Sequence, residues 1–271
     1  MARPAIPVRS PLARPAARAG SGRLWEVDAL RGVAFCMMAL YHLLFDLRSF
    51  AGWPITVDRG FWYHFATAPA ALFVLLVGVS LTLSRARWQA HRSGPYWPHL
   101  VRRGFQILGY GFLVTVATWL VDPRQVVLFG ILHLIGVSIL LSGPFLSGLV
   151  SNLLLGAVLV ALGVVIDGVV LPAGFPWLLW LGLPPAEFRS FDYRPLLPWF
   201  GVALWGIALG NLLYPGGRPA VPLPDWSALL PVRLLVWIGR HALVLYLLHQ
   251  PVMIALLVLL GIVPLEALGL A

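Results

Sequence analysis

The sequence predicts an all-α protein, a polytopic transmembrane helix bundle with seven, or with one further segment eight, spans. Three observations predict this class: 60% of the 271 residues are hydrophobic, only 11% are charged, and the mean hydropathy is +0.88. Soluble domains carry about 25% charged residues and about 45–50% apolar ones. One soluble core cannot take up this much apolar side chain, so we expect a single membrane-embedded unit.

The composition also excludes several kinds of site. All 19 basic residues are Arg, which excludes a P-loop lysine, a Schiff-base lysine and a lysine general base. Cys36 is the single cysteine, so neither an internal disulfide nor a cysteine-ligated metal site is expected. No metal-ligand spacing or glycine-rich nucleotide loop is present, and we predict no metal. The net charge of +9 comes from Arg in short loops between apolar runs, which indicates a membrane surface and not nucleic acid.

The elements follow from the apolar runs. Residues 1–23 contain five Arg and no acidic residue, which predicts a disordered basic cytoplasmic tail; residues 24–271 form the transmembrane domain. A span needs about 20 apolar residues. Seven stretches reach or approach this length: 29–47, 66–84, 104–121, 126–142, 148–166, 195–213 and 241–262. The shorter apolar segments 174–183 and 229–239 are expected to be re-entrant or interfacial, although an eighth span could begin at 229.

The distribution of Arg predicts the orientation. If the N-terminus is cytoplasmic, the tail, loops and span ends on the cytoplasmic side contain 14 Arg, and those on the other side contain 5. Cytoplasmic loops of membrane proteins carry an excess of Arg and Lys. We therefore expect a cytoplasmic N-terminus and, with seven spans, a C-terminus on the other side.

The first span carries four ionisable residues on one helical face. Asp28, Arg31, His42 and Asp46 lie 3, 11 and 4 residues apart, which places them within about 60° of one another around the axis. Ionisable groups in hydrocarbon cost a few kcal/mol each, so this face should point into the bundle or a wet cavity.

The order of these residues suggests a division of roles. Arg31 near the cytoplasmic end, with Asp28 beside it, could bind the phosphates of an activated donor. His42 lies about 16 Å further along the axis and could take a proton from an acceptor, with Asp46 orienting its imidazole. The alternative is that Asp28 and Arg31 only pair with each other and that His42 is a packing residue.

Four stretches of this sequence resemble a known family. Arg31, ten residues and His42, preceded by Asp28-Ala-Leu-Arg-Gly, resemble the Arg–ten–His motif of the membrane-bound acyltransferase 3 superfamily. FGILHLIGVSILL (129–141), FDYRPLLPWFGVALWGIALG (191–210) and WIGRHALVLYLLHQPV (237–252) narrow the resemblance. Together they are similar to the bacterial branch related to the catalytic domain of heparan-α-glucosaminide N-acetyltransferase, over about residues 23–262.

The resemblance implies a function and a location. It implies an integral enzyme of the bacterial inner membrane that moves an acyl group, typically acetyl. The donor is cytoplasmic acyl-CoA, and the acceptor is a hydroxyl or amine of an extracytoplasmic or lipid-linked glycan. The motif makes His42 the general base; His64 matches a lumenal histidine of a relative only loosely in position. Direct attack and a transient acyl-His42 intermediate both stay open.

Further polar residues are candidates for substrate contacts. Arg240 could bind CoA phosphates, or could be an ordinary anchor on the positively charged side. His133, His249 and Gln250 could line the cavity and bind the acceptor, or could bond to neighbouring helices. Asp192, with the aromatic residues beside it, could bind a sugar, although the aromatic residues there are also typical of the membrane interface.

A second function class stays open. The chain could be a non-enzymatic carrier or scaffold whose polar stripe lines a translocation path. Transporters usually show paired repeats, and no internal duplication is visible, which favours the enzyme. Membrane lipids are expected neighbours in either case, and a homo-oligomer is compatible with both.

Overall fold

The computed structural model describes residues 24–57, 59–172 and 176–268. The predicted basic tail, 1–23, lies outside these residues. Within them the chain forms short 3₁₀ turns and no β-strand, together with eight α-helices: α1 Trp25–Ala51, α2 Gly60–His91, α3 Trp97–Val121, α4 Ile131–Leu141, α5 Val150–Ile166, α6 Leu196–Leu213, α7 Leu230–Arg240 and α8 Ala242–Leu259. The all-α prediction is confirmed.

Five helices are long and apolar enough to cross a membrane, namely α1, α2, α3, α6 and α8. The predicted spans 126–142 and 148–166 are present as shorter apolar helices, α4 with 11 residues and α5 with 17. α4 is shorter than its apolar run because it begins only after Gly130 and ends at Leu141, with Ser142 as its C-cap and Pro144 two residues further on. The chain is therefore a multi-pass membrane bundle with five long and two short apolar helices among its described residues.

The two short apolar segments take different forms. Of the segment 174–183, the described residues 176–183 contain the 3₁₀ turn Pro176–Leu181, and residues 174 and 175 lie outside the described part of the chain. Residues 229–239 lie mostly in α7. α6 ends where Tyr214 donates a hydrogen bond to Glu26 (3.2 Å), and α7 ends where Arg240 pairs with Asp28. The segment between α6 and α8 thus begins and ends beside the start of α1, which is the topology of a re-entrant segment and not of an eighth full span.

The Tyr214–Glu26 bond holds the end of α6 to the start of α1. Burial, and next to it the Glu26 carboxylate, raises the pKa of Tyr214 to about 12, so the phenol stays protonated and remains the donor. This bond helps to hold the re-entrant segment at that end of the bundle.

Glycines allow the main helix pairs to approach closely. A Cβ on Gly206 of α6 would overlap the backbone oxygen of Leu75 in α2, and one on Gly239 of α7 would overlap the backbone oxygen of Asp28 in α1. Gly32 of α1 is equally tight against Leu235 of α7. Small residues at such contacts are typical of membrane helix packing, where van der Waals contact takes the place of a hydrophobic driving force.

The bundle is apolar on both its inside and its outside. Leu134, Leu204 and Ile207 of α4 and α6 are completely buried at the centre. Phe112 of α3 and Val165 of α5 are 60% and 75% exposed, so these helices carry large apolar side chains on their outer faces. Such faces suit contact with lipid and place α3 and α5 at the periphery, while α1 lies against α2, α7 and α8.

We predict that Gly206→Ala destabilises the fold, because the added methyl group meets the α2 backbone and not a flexible side chain. Overpacking of this kind costs about 1–3 kcal/mol. Gly109→Ala is the matched control, since a Cβ there meets nothing within 4 Å. Thermal unfolding of the purified chain in detergent should show a lower midpoint for Gly206→Ala and an unchanged or higher one for Gly109→Ala; equal midpoints would contradict the packing described.

Candidate active site

The site is organised along α1, whose four ionisable side chains contact different neighbours. Asp28 and Asp46 bond to α7 and α8, Arg31 reaches α2, and His42 faces α8. We call the end of the bundle where α1 begins the Trp25 end, and the opposite end the Ala51 end. Along the axis about 16 Å separates Arg31 from His42, so the polar groups form two separate clusters.

The first cluster, the arginine site, lies at the Trp25 end and consists of Asp28, Arg31, Arg240 and Ser80. The Asp28 carboxylate is 2% exposed and accepts from Arg31 Nη1 at 2.6 Å and from Arg240 Nε at 3.3 Å. The other terminal nitrogen of Arg31 donates to the Ser80 hydroxyl. One carboxylate therefore positions two guanidinium groups, and the cluster keeps a net positive charge.

A cavity of about 250 Å³ opens at the arginine site. Two Arg and one Asp contribute its charged groups, so the cavity is cationic. Its lining combines these groups with apolar side chains: Leu24, Val27, Asp28, Arg31, Ser80, Leu83 and Arg87.

The second cluster is the histidine pair, His42 of α1 and His249 of α8. Their ring centroids lie 5.1 Å apart and the ring planes meet at 68°. Phe35 and Tyr246 pack against the His249 ring at 6.0 and 5.7 Å. Within the described part of the chain no hydrogen bond reaches the His42 imidazole, whose neighbours are aromatic.

Asp46 bonds to α8 and not to His42. Its carboxylate has no exposed surface, and both oxygens accept from the Gln250 amide, at 2.8 and 2.9 Å. The hydrogen bond expected between Asp46 and His42 is therefore not formed. The physical reason is that Gln250 brings an amide donor to a carboxylate that burial has deprived of water, and one bidentate contact serves both oxygens.

His133 and Asp192 come together at the start of α4. The Asp192 carboxylate accepts from the Ile131 N–H at 2.7 Å, and His133 Nδ1 accepts from the Gly130 N–H at 3.3 Å. His133 Nε2 lies 3.3 Å from the Thr115 hydroxyl, which gives its own hydrogen to a backbone carbonyl. Both side chains thus satisfy backbone groups at a helix N-terminus, as capping residues do.

The loop before α6 approaches the histidine pair from the Ala51 end. The Arg194 guanidinium lies 5.6 Å from the Trp199 ring centre and within electrostatic range of His42. Asp192 and Arg194 are both in such range of the Tyr246 hydroxyl. His64, the alternative base, is exposed and packs on Tyr63 in the first turns of α2.

Sequence reasoning missed Ser80 and the Tyr246 carbonyl, the oxygen to which His249 Nδ1 donates at 2.6 Å. Ser80 could have been found as a polar residue within the apolar run 66–84. The Tyr246 carbonyl carries no sequence signal, because any residue type supplies the same oxygen.

We predict that Gln250→Leu destabilises the chain more than the double change Asp46→Leu with Gln250→Leu. The single variant leaves a buried carboxylate without its donor, which costs about 1–3 kcal/mol or more, whereas the double variant removes both groups. Thermal unfolding in detergent measures the difference, with the exposed Gln89→Leu as control. Equal destabilisation by the single and double variants would contradict the proposed contact.

Comparison with known proteins places the chain in a family. Searches of curated proteins and of solved structures gave no significant match. The family model described as Heparan-alpha-glucosaminide N-acetyltransferase, catalytic, matches residues 23–251, which include α1 to α7 and both polar clusters. The chain therefore belongs to the heparan-α-glucosaminide N-acetyltransferase catalytic-domain family, a family of membrane acetyltransferases.

Proposed function

We propose that this chain transfers an acyl group, in the first instance acetyl, from cytoplasmic acyl-CoA to a hydroxyl or amine of an extracytoplasmic or lipid-linked glycan. The observation that carries the proposal is the layout of α1. A cationic cavity lies at its Trp25 end, and a pair of imidazoles lies about three helical turns further along the same helix. Family membership supports acetyl transfer as the reaction.

The arginine site suits the phosphate groups of CoA. Arg31 and Arg240 are held by Asp28, which limits the side-chain freedom that a phosphate would otherwise have to restrict. Arg87 adds a positive charge beside Arg31 in the cavity wall. A diphosphate brings the opposite charge, and charge-assisted hydrogen bonds to it are stronger than neutral ones.

The proposed orientation places the Trp25 end in the cytoplasm. The Arg excess of 14 to 5 on this side supports it, since cytoplasmic loops are enriched in basic residues. Cytoplasmic acyl-CoA would then reach the arginine site from its own compartment. The bacterial inner membrane is the proposed location.

At the other cluster, His42 is the proposed catalytic group. In the direct route, the acceptor attacks the thioester carbon, the C–S bond breaks with its electron pair going to the CoA sulfur, and an imidazole takes the acceptor's proton. In the second route, His42 first receives the acyl group on a ring nitrogen and then passes it to the acceptor. Asp46 takes part in both routes indirectly, by holding α8 against α1 through Gln250.

His249 and Gln250 are the proposed acceptor contacts. His249 Nε2 and Gln250 Oε1 are buried and have no hydrogen-bond partner among the described residues, so each can accept from a sugar hydroxyl or amine. The polar atoms of His133 and Asp192 already serve the start of α4, and we give these two residues a supporting role.

We predict that His42→Ala abolishes transfer of labelled acetyl from acetyl-CoA to sugars, with at least a 100-fold loss of rate, because both routes need its imidazole. The assay uses the purified chain in lipid nanodiscs with glucosamine and methyl glucoside as amine and hydroxyl acceptors. His91→Ala, an exposed histidine near the end of α2, is the control. Full activity of His42→Ala would contradict its role, and transfer lost only in His64→Gln would move the role to that residue.

We predict that Arg31→Gln raises KM for acetyl-CoA about 10-fold or more and changes kcat less. The substitution removes a charge-assisted contact worth about 1.5–3 kcal/mol while leaving Asp28 paired with Arg240. Arg218→Gln, in the loop after α6, is the matched control, since it removes an arginine that does not line the cavity. Equal KM values for the two variants would place the donor elsewhere.

A further inference from the structure

The ring of His249 is held in one tautomer. Its Nδ1 lies 2.6 Å from the backbone oxygen of Tyr246, and a carbonyl oxygen has no hydrogen to give. Nδ1 is therefore the donor in this bond. A neutral imidazole that donates through Nδ1 keeps its lone pair on Nε2, so the Nε2 atom of His249 is an acceptor.

The acceptor atom of His249 is buried and without a partner. Nε2 has essentially no exposed surface, and none of the residues described in the structure hydrogen-bonds to it. Buried polar side-chain atoms are mostly hydrogen-bonded, and an unsatisfied one points to a ligand, a water or a catalytic role. The atom that would satisfy Nε2 must be a hydrogen-bond donor.

The surroundings of His249 are fixed by its neighbour on α8. Gln250 binds both oxygens of Asp46, which ties α8 to α1 at this level. The same tie brings the His249 ring against His42 and Phe35 of α1. Both Asp46 oxygens already accept from the Gln250 amide, and this carboxylate makes no hydrogen bond to the His249 imidazole.

We propose that His249 is the proton acceptor of the acyl transfer. This inference rests on the proposed function and adds to it a named base. As the hydroxyl oxygen or amine nitrogen of the sugar bonds to the acyl carbon, the proton of that hydroxyl or amine moves to Nε2 of His249. The bond from that carbon to the His42 ring nitrogen breaks, and its electron pair stays on that nitrogen.

The Tyr246 carbonyl stabilises the product of this step. It accepts from Nδ1–H in the neutral ring and in the imidazolium, as the third member of a catalytic triad does for its histidine. The proton on Nε2 then passes to the CoA thiolate released in the reaction. With the proton assigned to His249, the route through acyl-His42 is the one that follows, and His42 carries the acyl group before the sugar attacks it.

Two variants test the assignment in the full-length chain in nanodiscs. In His249→Asn, the amide can still donate to the Tyr246 oxygen from near the Nδ1 position, but the basic nitrogen is gone. In His249→Gln, the amide reaches the Nε2 position without a base. Both should lower kcat for labelled acetyl transfer to glucosamine and methyl glucoside by about 10²–10⁴-fold. KM for acetyl-CoA should stay within about twofold, because the arginine site is untouched.

A matched control exists at the end of α2. His91 also directs its Nδ1 at the carbonyl of an earlier residue in its own helix, Arg87, at 3.0 Å, but its ring is exposed and far from α8 in sequence. His91→Asn should transfer acetyl at the wild-type rate. Added imidazole should restore part of the transfer rate to His249→Gly, because it can replace the missing base. It should restore none to His42→Ala. A purely structural role for His249 would not produce this rescue.

A spectroscopic measurement tests the tautomer of His249 that the proposal requires, and it does not rely on activity. In the chain carrying ¹⁵N-histidine, the signals absent from His249→Gln should be those of an Nδ1–H tautomer. An Nε2–H tautomer would overturn the inference even if the variants were slow or poorly folded. Wild-type rates in His249→Asn would overturn it while leaving acetyl transfer in place, and no transfer by the wild-type chain would overturn the proposed function and this inference together.

Discussion

Buried charge along α1 organises the helices around it. Hydrocarbon offers no water to the two aspartates of this helix, so the protein must supply their hydrogen bonds. Asp28 receives two guanidinium groups and Asp46 receives one amide. These contacts come from α7 and α8, so satisfying α1 also determines how the end of the chain folds back around it.

The two clusters differ in charge, and the difference suits two steps of one reaction. At the Trp25 end the cations outnumber the carboxylate, which favours an anionic ligand. At the histidine pair the polar groups are imidazoles, an amide and a carboxylate already bonded to that amide, which favours proton transfer over anion binding. In the proposed function, the phosphates of acyl-CoA would lie at one cluster and its thioester at the other.

The sequence was sufficient for the fold class and for the inward face of α1, because hydropathy and helical periodicity are local properties. It was not sufficient for the bonding of Asp46, since its spacing from His42 pointed to a contact within α1, whereas the donor that Asp46 meets, Gln250, is about 200 residues away in the chain. For His133 and Asp192 the sequence left substrate binding and a purely structural contact both open, and in the structure both bond to the N-terminus of α4. Polar residues in a membrane span thus indicated where a site lies, whereas the pairing of helices decided what each residue does.

We propose that one donor molecule extends along α1 from the arginine site to the histidine pair. Photo-crosslinking tests this with two acyl-CoA analogues, one with a diazirine in the acyl chain and one with a photoreactive group on the adenine. We expect the acyl probe to label peptides containing Phe35, His42 or Tyr246, and the adenine probe to label peptides at the Trp25 end, around Leu24 and Leu83. Labelling of both probes at one end, or of the acyl probe on the outer faces of α3 and α5, would contradict it.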